Sequence, residues 1–276
     1  MNNDEERARV VATYNAAADT FDDPALSFWD RFGRETVARV SPRPGQSVLD
    51  ACCGSGSSAL PAAELVGPRG RVLAVDLAEK LLELGRAKAR RQGLDNIEFR
   101  CSDFEETAAA GNDFDAVMCV FGIFFVSDMQ RAVRALWRAV KPGGRLAITT
   151  WGANLFEPAS SAFWKTVRSE RADLYKAFNP WDRIADGGAL RRLLDESGVE
   201  DPVVVERQGV HEIREPEDWW TVLRGSGYRG TLDLLDAPSL DRVRRASVEF
   251  ARTSRLRALR TDVVYSVATK PKGGTS

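Results

Sequence analysis

The stretch from Ser47 to Ser58 combines a carboxylate with a glycine-rich turn and could bind a charged ligand. A short apolar run ends in Asp50, glycines follow at Gly54 and Gly56, and an Ala/Leu-rich segment begins just after Ser58. Glycines let the backbone approach a ligand, and the first turn of a helix directs free N–H groups at it. The pattern therefore predicts a strand, a turn and a helix start of the nucleotide-binding kind.

The charge of Asp50 helps to choose between two ligands. The run Gly54 to Ala59 also fits the G-x-G-x-x-G/A pattern of dinucleotide-binding enzymes. A carboxylate at the end of the first strand repels a pyrophosphate but suits an ammonium or sulfonium group. A nucleoside with a cationic tail is therefore favoured over NAD. The alternative role for Asp50 is to cap the next helix.

Two further acids follow predicted strands. Asp76 lies 20 positions after Gly56, near the spacing of a ribose-binding acid, and its carboxylate can accept from both ribose hydroxyls. Asp103 can accept from an exocyclic amine while Phe104 packs on a purine ring. The alternatives are a helix N-cap for Asp76 and a turn residue for Asp103.

Segments with strand and helix patterns alternate along the chain and must position these groups. Strands are predicted to end at Asp50 and to cover 71–76, 97–101, 114–120, 145–151, 203–210 and 263–269. Helices are predicted over 4–19, 26–40, 79–92, 129–140, 159–172, 188–196, 217–223 and 241–251, with a further one after Ser58, and a turn over 141–144. This alternation predicts an α/β protein whose parallel sheet carries helices on both faces and binds ligands beyond the carboxyl ends of its strands.

Five motifs, in order and spacing, resemble the class I S-adenosylmethionine-dependent methyltransferases. They are V-L-D-A-C-C-G-S-G (48–56), V-L-A-V-D (72–76), C-S-D-F (101–104), F-D-A-V-M-C-V-F-G (114–122) and V-K-P-G-G-R-L-A-I-T-T-W (140–151). Within the class the chain is most similar to the ubiquinone and menaquinone C-methyltransferases, through F-W-D-R-F (28–32), P-G-Q-S-V-L-D (44–50) and F-G-I-F-F-V-S-D (121–128).

The resemblance implies S-adenosylmethionine as cofactor and a Rossmann-like sheet whose last strand, 263–269, is antiparallel at the end of the sheet. It places the methionine moiety on the 50–56 loop, the ribose on Asp76, the adenine amine on Asp103 and the base between Leu77 and Phe104. The implied cofactor-binding residues are Asp50, Ala51, Cys52, Gly54, Gly56, Asp76, Leu77, Asp103, Phe104 and Val120.

Two departures from the family pattern concern the cofactor loop and the acceptor. Cys52 stands where the family usually has Gly, so its Cβ narrows the approach to the cofactor. Phe124 and Phe125 stand where the quinone enzymes commonly carry Arg and Asn. The loss of two polar groups indicates a related enzyme with a different, apolar acceptor.

Aromatic residues and two polar groups are the candidates for acceptor binding and catalysis. His211, the only histidine, follows a predicted strand and is a candidate general base, as is Tyr14 from the N-terminal helix. The candidate acceptor-binding residues, each of which could instead be plain core, are Trp29, Phe121, Phe124, Phe125, Trp151 and Trp181.

The composition sets limits on the class of protein. The chain has 276 residues, a formal net charge of −1, 43% hydrophobic and 29% charged residues. These values predict a globular protein with no nucleic-acid partner, and the absence of a long apolar run predicts no integral membrane association. Four cysteines without a CxxC pair and one histidine argue against a metal site and favour the cytoplasm. The sequence does not indicate an oligomeric state.

A single methyltransferase domain is predicted over 1–276. Its parts are an N-terminal helical arm or lid (1–44), the cofactor-binding core (45–152), an inserted helical cap (153–188) and a C-terminal part with helical elaboration (189–276). The predicted function is metal-independent, in-line methyl transfer to an oxygen or carbon of a small, largely hydrophobic metabolite. The alternatives are an NAD-dependent oxidoreductase and a non-catalytic S-adenosylmethionine-binding protein. Arsenic methylation at Cys52 and Cys53 is disfavoured, because the sequence places no third thiol there.

Overall fold

The computed structural model describes residues 3–109 and 113–272. The helices are α1 (Asn3–Ala17), α2 (Phe28–Val40), α3 (Ala59–Val66), α4 (Glu79–Gln92), α5 (Phe104–Ala108), α6 (Met129–Ala139), α7 (Ala159–Glu170), α8 (Gly187–Glu196), α9 (Pro216–Arg224), α10 (Arg229–Leu232) and α11 (Ala237–Thr253). The strands are β1 (Ser47–Ala51), β2 (Arg71–Asp76), β3 (Ile97–Cys101), β4 (Phe114–Val120), β5 (Val140–Trp151), β6 (Val203–Arg207), β7 (Val210–Glu212), β8 (Ala258–Arg260) and β9 (Val263–Thr269).

Within the described residues, seven strands form one sheet in the order β3-β2-β1-β4-β5-β9-β6. Strands β1 to β5 are mutually parallel, and β9 is antiparallel to both of its neighbours, β5 and β6. Every residue of β1 is buried, because helices cover both faces of the sheet. The predicted mostly parallel α/β sheet with an antiparallel last strand is confirmed. However, β9 lies between β5 and β6 and not at the end of the sheet.

The predicted strand over 203–210 is wrong at its end. Strand β6 of the main sheet ends at Arg207. Strand β7 (Val210–Glu212) instead pairs with β8 in a separate two-stranded sheet. Gly209 allows the chain between β6 and β7 to approach Thr261 closely, because a Cβ there would lie 2.6 Å from the carbonyl oxygen of Thr261. The Gly209 amide also donates to the Asp262 carboxylate (3.0 Å).

The predicted turn over 141–144 is part of a strand. Strand β5 starts at Val140, opposite Phe114, and its register with β4 shifts before Ala116. Gly143 has φ +79°, and its amide donates to the carbonyl of Lys270 (2.8 Å). Gly143 and Gly144 therefore form an irregular start of β5, which still pairs with Lys270, the residue that follows β9.

Helix α2 is fixed to the sheet and to the glycine-rich turn. A Cβ on Gly33 would lie 2.3 Å from the backbone oxygen of Ser57, so only glycine permits this approach. The Ser57 hydroxyl donates to Asp30 (2.7 Å), and the hydroxyls of Thr36 and Thr149 lie 2.8 Å apart in the buried interface with β5. Helix α2 is therefore packed against the core and positions the glycine-rich turn that follows β1.

Candidate functional site

A cavity of about 200 Å³ lies at the carboxyl ends of β1, β2 and β4, under helix α1. Most of the predicted cofactor and acceptor residues line it together: Tyr14, Trp29, Cys52, Gly54, Asp76, Leu77, Asp103, Phe104, Val120, Phe121 and Phe125. They come from segments far apart in sequence, and the shared strand-end edge of a parallel sheet brings them to one place.

Asp76 is the most firmly positioned acid of the cavity. It ends β2, its Oδ2 accepts from the Gly54 amide (2.9 Å) and its Oδ1 from the Ala78 amide (2.9 Å). Burial raises its pKa, and the amides of Ala78 and Gly54 counteract part of that effect. Each oxygen keeps a second lone pair, so the carboxylate can accept further hydrogen bonds from a ligand.

The two glycines of the turn have different roles. Both have positive φ, +54° at Gly54 and +91° at Gly56, a backbone conformation that favours glycine. Gly54 lines the cavity. Gly56 does not; a Cβ there would lie 3.1 Å from the ring of Phe99 beneath the turn. Gly56 was predicted to contact the cofactor, but the structure places it in the packing below the loop.

Asp50 does not face the cavity, contrary to the prediction. Its side chain is fully buried behind the turn, where Oδ2 accepts from the Ser58 hydroxyl (2.7 Å). Its Oδ1 has no hydrogen-bond partner within the described chain. Burial raises the pKa of Asp50 to about 7. Its neighbour Ala51 is also fully buried and does not line the cavity.

Asp103 is engaged by an arginine that sequence reasoning missed. Its Oδ1 accepts from the Glu105 amide (2.8 Å) and so caps α5, whereas the alternative considered for this acid was a turn residue. Its Oδ2 lies 2.8 Å from Nη1 of Arg7, a half-exposed residue of α1 that also lines the cavity. The Arg7–Asp103 ion pair connects α1 to the edge of the sheet across the cavity.

Cys52 adopts a backbone conformation that favours glycine, with φ +59°. Its side chain fills the space above Gly122, where an added Cβ would lie 2.3 Å from the Cys52 Cβ. A hydrogen bond with Cys119 and then burial raise the pKa of the Cys52 thiol, so the thiol is uncharged at neutral pH. Cys52 and Gly122 therefore form a matched pair of a larger and a smaller residue at the cavity wall.

Aromatic rings form part of the cavity wall. Phe21 stacks on Trp29 (centroids 5.2 Å apart), and Tyr14 contacts Phe125 edge to face (5.5 Å). Phe121 also lines the cavity and has Trp151 stacked behind it at 3.9 Å. These rings make a water-excluding wall of the kind that binds an apolar molecule.

Three predicted acceptor-binding residues lie outside this cavity. Trp151 is buried behind Phe121, and Phe124 is only 1% exposed in the core. Trp181 lines a second cavity, beneath the inserted segment. Of Phe124 and Phe125, only Phe125 lines the first cavity.

His211 is not placed at the cavity. It lies on β7, is buried, and its Nε2 is 2.7 Å from the carbonyl oxygen of Ala25. Its ring packs edge to face on Phe28 (4.9 Å), and burial lowers its pKa. The structure thus assigns the only histidine to the attachment of the small sheet and not to proton transfer in the cavity.

Tyr14, the second candidate base, lines the cavity as a neutral phenol. Burial, and then the charge of Asp76, raise its pKa, so its hydroxyl stays protonated at neutral pH. Among the described residues the hydroxyl has no hydrogen-bond partner. It can therefore donate a hydrogen bond to a ligand.

Sequence reasoning missed most contributions of α1 and some of the loops. Besides Tyr14, this helix supplies Arg7, Val10 and Val11 to the cavity. The apolar spacing of the helix was visible, but nothing in it shows which part of the sheet the helix would cover. Other lining residues that were missed are Phe21, Cys53, Ser57, Ser58, Val75, Ala78, Leu81, Ser102, Glu105, Gly122, Val126, Ser127 and Arg131.

The described residues also bear on metal and membrane binding. The described part of the chain contains no group of three or more His, Cys, Asp or Glu residues that could hold a metal ion. Over residues 3–109 and 113–272, no helix has the length and apolar character needed to cross a bilayer.

The sequence of the chain is similar to that of known methyltransferases. The model of the ubiE/COQ5 methyltransferase family matches residues 4–167. The ubiquinone/menaquinone biosynthesis C-methyltransferase UbiE of Klebsiella pneumoniae subsp. pneumoniae is 34% identical over 155 residues, which are 56% of this chain and 61% of that protein. The chain therefore spans 61% of the length of this curated relative.

Solved structures share the fold. The YcgJ protein from Bacillus subtilis superposes with a TM-score of 0.57 at 16% identity, over 88% of this chain and 99% of that chain. Phosphoethanolamine N-methyltransferase 2 from Haemonchus contortus, solved in complex with S-adenosyl-L-methionine, superposes with a TM-score of 0.52 at 20% identity, over 87% of this chain and 52% of that chain. At these identities the likeness shows the fold alone.

Proposed function

Because the chain belongs to the ubiE/COQ5 methyltransferase family, we propose that it transfers a methyl group from S-adenosylmethionine to an oxygen or carbon atom of a small, largely hydrophobic acceptor. Membership in the family confirms the predicted resemblance and supports the predicted enzyme class and cofactor. It also removes the ground for the alternative of an NAD-dependent oxidoreductase. The activity of the whole protein and its acceptor are our proposal.

The observation that carries the proposal is the position of Asp76. Its carboxylate faces the cavity at the end of β2 and is held by two backbone amides (each 2.9 Å), one of them from the glycine turn. A carboxylate oriented in this way suits the two hydroxyls of a ribose. It disfavours a pyrophosphate at the same turn, because the two negative charges would repel.

The charges behind the turn also fit the cofactor. Asp50 Oδ1 is a buried oxygen without a hydrogen-bond partner among the described residues, and a positively charged ligand above the turn would stabilise its ionised form. In the proposed complex, the turn holds the methionine moiety, Asp76 the ribose, and Asp103 with Leu77 and Phe104 the base. When bound, S-adenosylmethionine supplies an electrophilic methyl group on its sulfonium sulfur.

The residues of this chain position the acceptor and exclude water. Phe21, Trp29, Phe121 and Phe125 form an apolar wall, and the neutral Tyr14 hydroxyl can donate to an oxygen of the acceptor. Alignment and desolvation are the main demands of a methyl displacement. Phe125 at the position of a polar residue in the quinone enzymes supports an acceptor more apolar than a quinone precursor.

The test is methyl transfer from S-adenosylmethionine with a labelled methyl group to a panel of small phenols, quinols and enolisable ketones. We expect label in an oxygen- or carbon-methylated product. Asp76→Asn should raise KM for S-adenosylmethionine at least about tenfold with a smaller change in kcat, since it weakens ribose binding. Label transfer by Asp76→Asn at the wild-type KM would contradict the assigned role of Asp76.

A further inference from the structure

A second cavity of about 420 Å³ lies beneath the inserted segment 153–188. Helix α7, the loop that follows it and Trp181 form its sides, and Tyr228 lies at its base. It does not share any lining residue with the first cavity. The predicted cap therefore encloses a space of its own.

The acidic groups of this cavity accept hydrogen bonds from nearby residues, whereas its basic groups do not pair with a carboxylate of the described residues. Glu157 accepts from the Ser161 hydroxyl (2.7 Å), and Asp182 accepts from the Asn179 amide (2.7 Å), so both carboxylates hold local donors. Three cations, Lys165, Arg168 and Lys176, line the same cavity.

The three cations have no carboxylate partner within the described residues. The guanidinium of Arg168 stacks over the ring of Tyr175, 5.1 Å from its centroid. Lys165, Arg168 and Lys176 are all exposed residues at the rim of the cavity, and partial desolvation lowers the pKa of the Lys176 ammonium. An anion in the cavity would stabilise these charges.

Flat aromatic groups and neutral donors form the base of the cavity. The hydroxyls of Tyr228 and Ser160 lie 2.7 Å apart and are buried. The indole N–H of Trp164 is buried and has no partner with hydrogen-bond geometry in the described chain. Tyr228 packs against Trp181 (5.6 Å) and Trp164 (5.7 Å). A planar body with a polar edge matches this surface.

We propose that the second cavity is a binding site for a small organic anion, a carboxylate or phosphate monoester attached to a planar or aromatic body. Lys165, Arg168 and Lys176 bind the anionic group, and the rings of Trp181 and Tyr228 contact the body. The site shares no lining residue with the first cavity, and a site for an anion goes beyond the proposed methyl transfer.

Gly227 lies between a residue of each cavity, which leaves two sources for such an anion. A Cβ on Gly227 would lie 2.9 Å from the ring of Trp181 in the second cavity and 3.6 Å from the Tyr14 hydroxyl of the first. The anion is therefore either a separate ligand confined to the second cavity or the charged end of a longer acceptor that passes Gly227. The chemistry recognised in the second cavity is the same in both cases.

Calorimetric titration of benzoate and of phenyl phosphate into the full-length protein tests the site. We expect binding in the range of about 0.1–1 mM. Lys176→Met and Arg168→Met should each weaken it about tenfold, since each removes a charge-assisted hydrogen bond. Arg191→Met, which removes an exposed cation of α8 outside the cavity, is the matched control and should leave it unchanged.

Titration of S-adenosylmethionine into the same variants keeps this proposal separate from the proposed function, because its affinity should not change. 6-Phenylhexanoate distinguishes the two sources. A ligand that passes Gly227 binds tighter than benzoate and loses that gain in Gly227→Ala, whereas a confined ligand shows neither effect. Absence of benzoate and phenyl phosphate binding at about 10 mM, or equal binding by wild type and both cation variants, would overturn the proposal.

Discussion

At the scale of single residues, neighbouring carboxylates acquire different roles from their surroundings. Asp76 is at the cavity surface and is held by amides, whereas Asp50 is fully buried, and one of its oxygens has no partner in the described part of the chain. The sequence placed both at strand ends, which is correct. It could not show that the turn folds over Asp50, because a strand-end position does not determine which atoms lie above it.

The buried state of Asp50 makes cofactor binding dependent on pH. The pKa of Asp50 in the free protein is about 7, and a cationic ligand favours the ionised form. Affinity for S-adenosylmethionine should therefore increase as pH rises and level off above that pKa. Between about pH 6 and pH 8 the dissociation constant should fall by up to about tenfold, because only the ionised fraction binds well.

The measurement is calorimetric titration at several pH values with wild type and Asp50→Asn. The variant keeps the shape of the side chain but cannot ionise, so its affinity should be weak and independent of pH. Asp115→Asn, at the opposite end of the same sheet, where Asp115 accepts from the Ser47 amide, is the matched control and should retain the wild-type profile. An unchanged pH profile in Asp50→Asn would rule out the electrostatic role of Asp50.

At the scale of elements, α1 closes the cavity through contacts that a local pattern does not reveal. Apolar spacing correctly predicted a helix near this position, because periodicity reports the buried face of a helix. The ion pair from Arg7 to Asp103 joins residues almost 100 positions apart. Similarly, the small sheet of β7 and β8 pairs segments far apart in sequence, and so His211 was placed at the wrong site.

Removal of the Arg7 side-chain charge should loosen α1 over a bound cofactor. Because the pair is partly exposed, we expect Arg7→Met to raise the dissociation rate of S-adenosylmethionine only about two- to fivefold, and less so at high salt. Stopped-flow displacement measures this rate. Arg34→Met, which breaks an ion pair with Glu64 outside the cavity, should leave it unchanged. A slower dissociation in Arg7→Met would show that Arg7 competes with the cofactor for Asp103.

At the scale of the whole molecule, the order of elements could be predicted better than the surface they build. Alternating strands and helices led to the correct parallel sheet, and its strand ends brought Asp76, Asp103, Gly54 and Phe121 to one cavity. The aromatic residues were harder to assign. Phe121 and Trp151 are both aromatic residues that follow or end a predicted strand. Trp151 is nevertheless stacked behind Phe121, and only the packing determines which ring lines the cavity.

Segment 153–188 shows the same limit. Its Trp181 was predicted to bind the acceptor, but Trp181 lines a second cavity with a different set of charges. Motifs covered the core of the chain, where backbone geometry constrains residue types. The cavity that Trp181 lines depends on tertiary contacts, which a sequence motif does not contain.

The measurement that tests the central claim most directly is calorimetric titration of S-adenosylmethionine and, separately, of NAD into the purified protein and its Asp76→Asn variant. Thermal unfolding of both proteins provides the control for folding. Binding of S-adenosylmethionine in the micromolar range, weakened at least about tenfold in Asp76→Asn, is the predicted result. Binding of NAD without binding of S-adenosylmethionine would contradict the assignment of the cavity to methyl transfer.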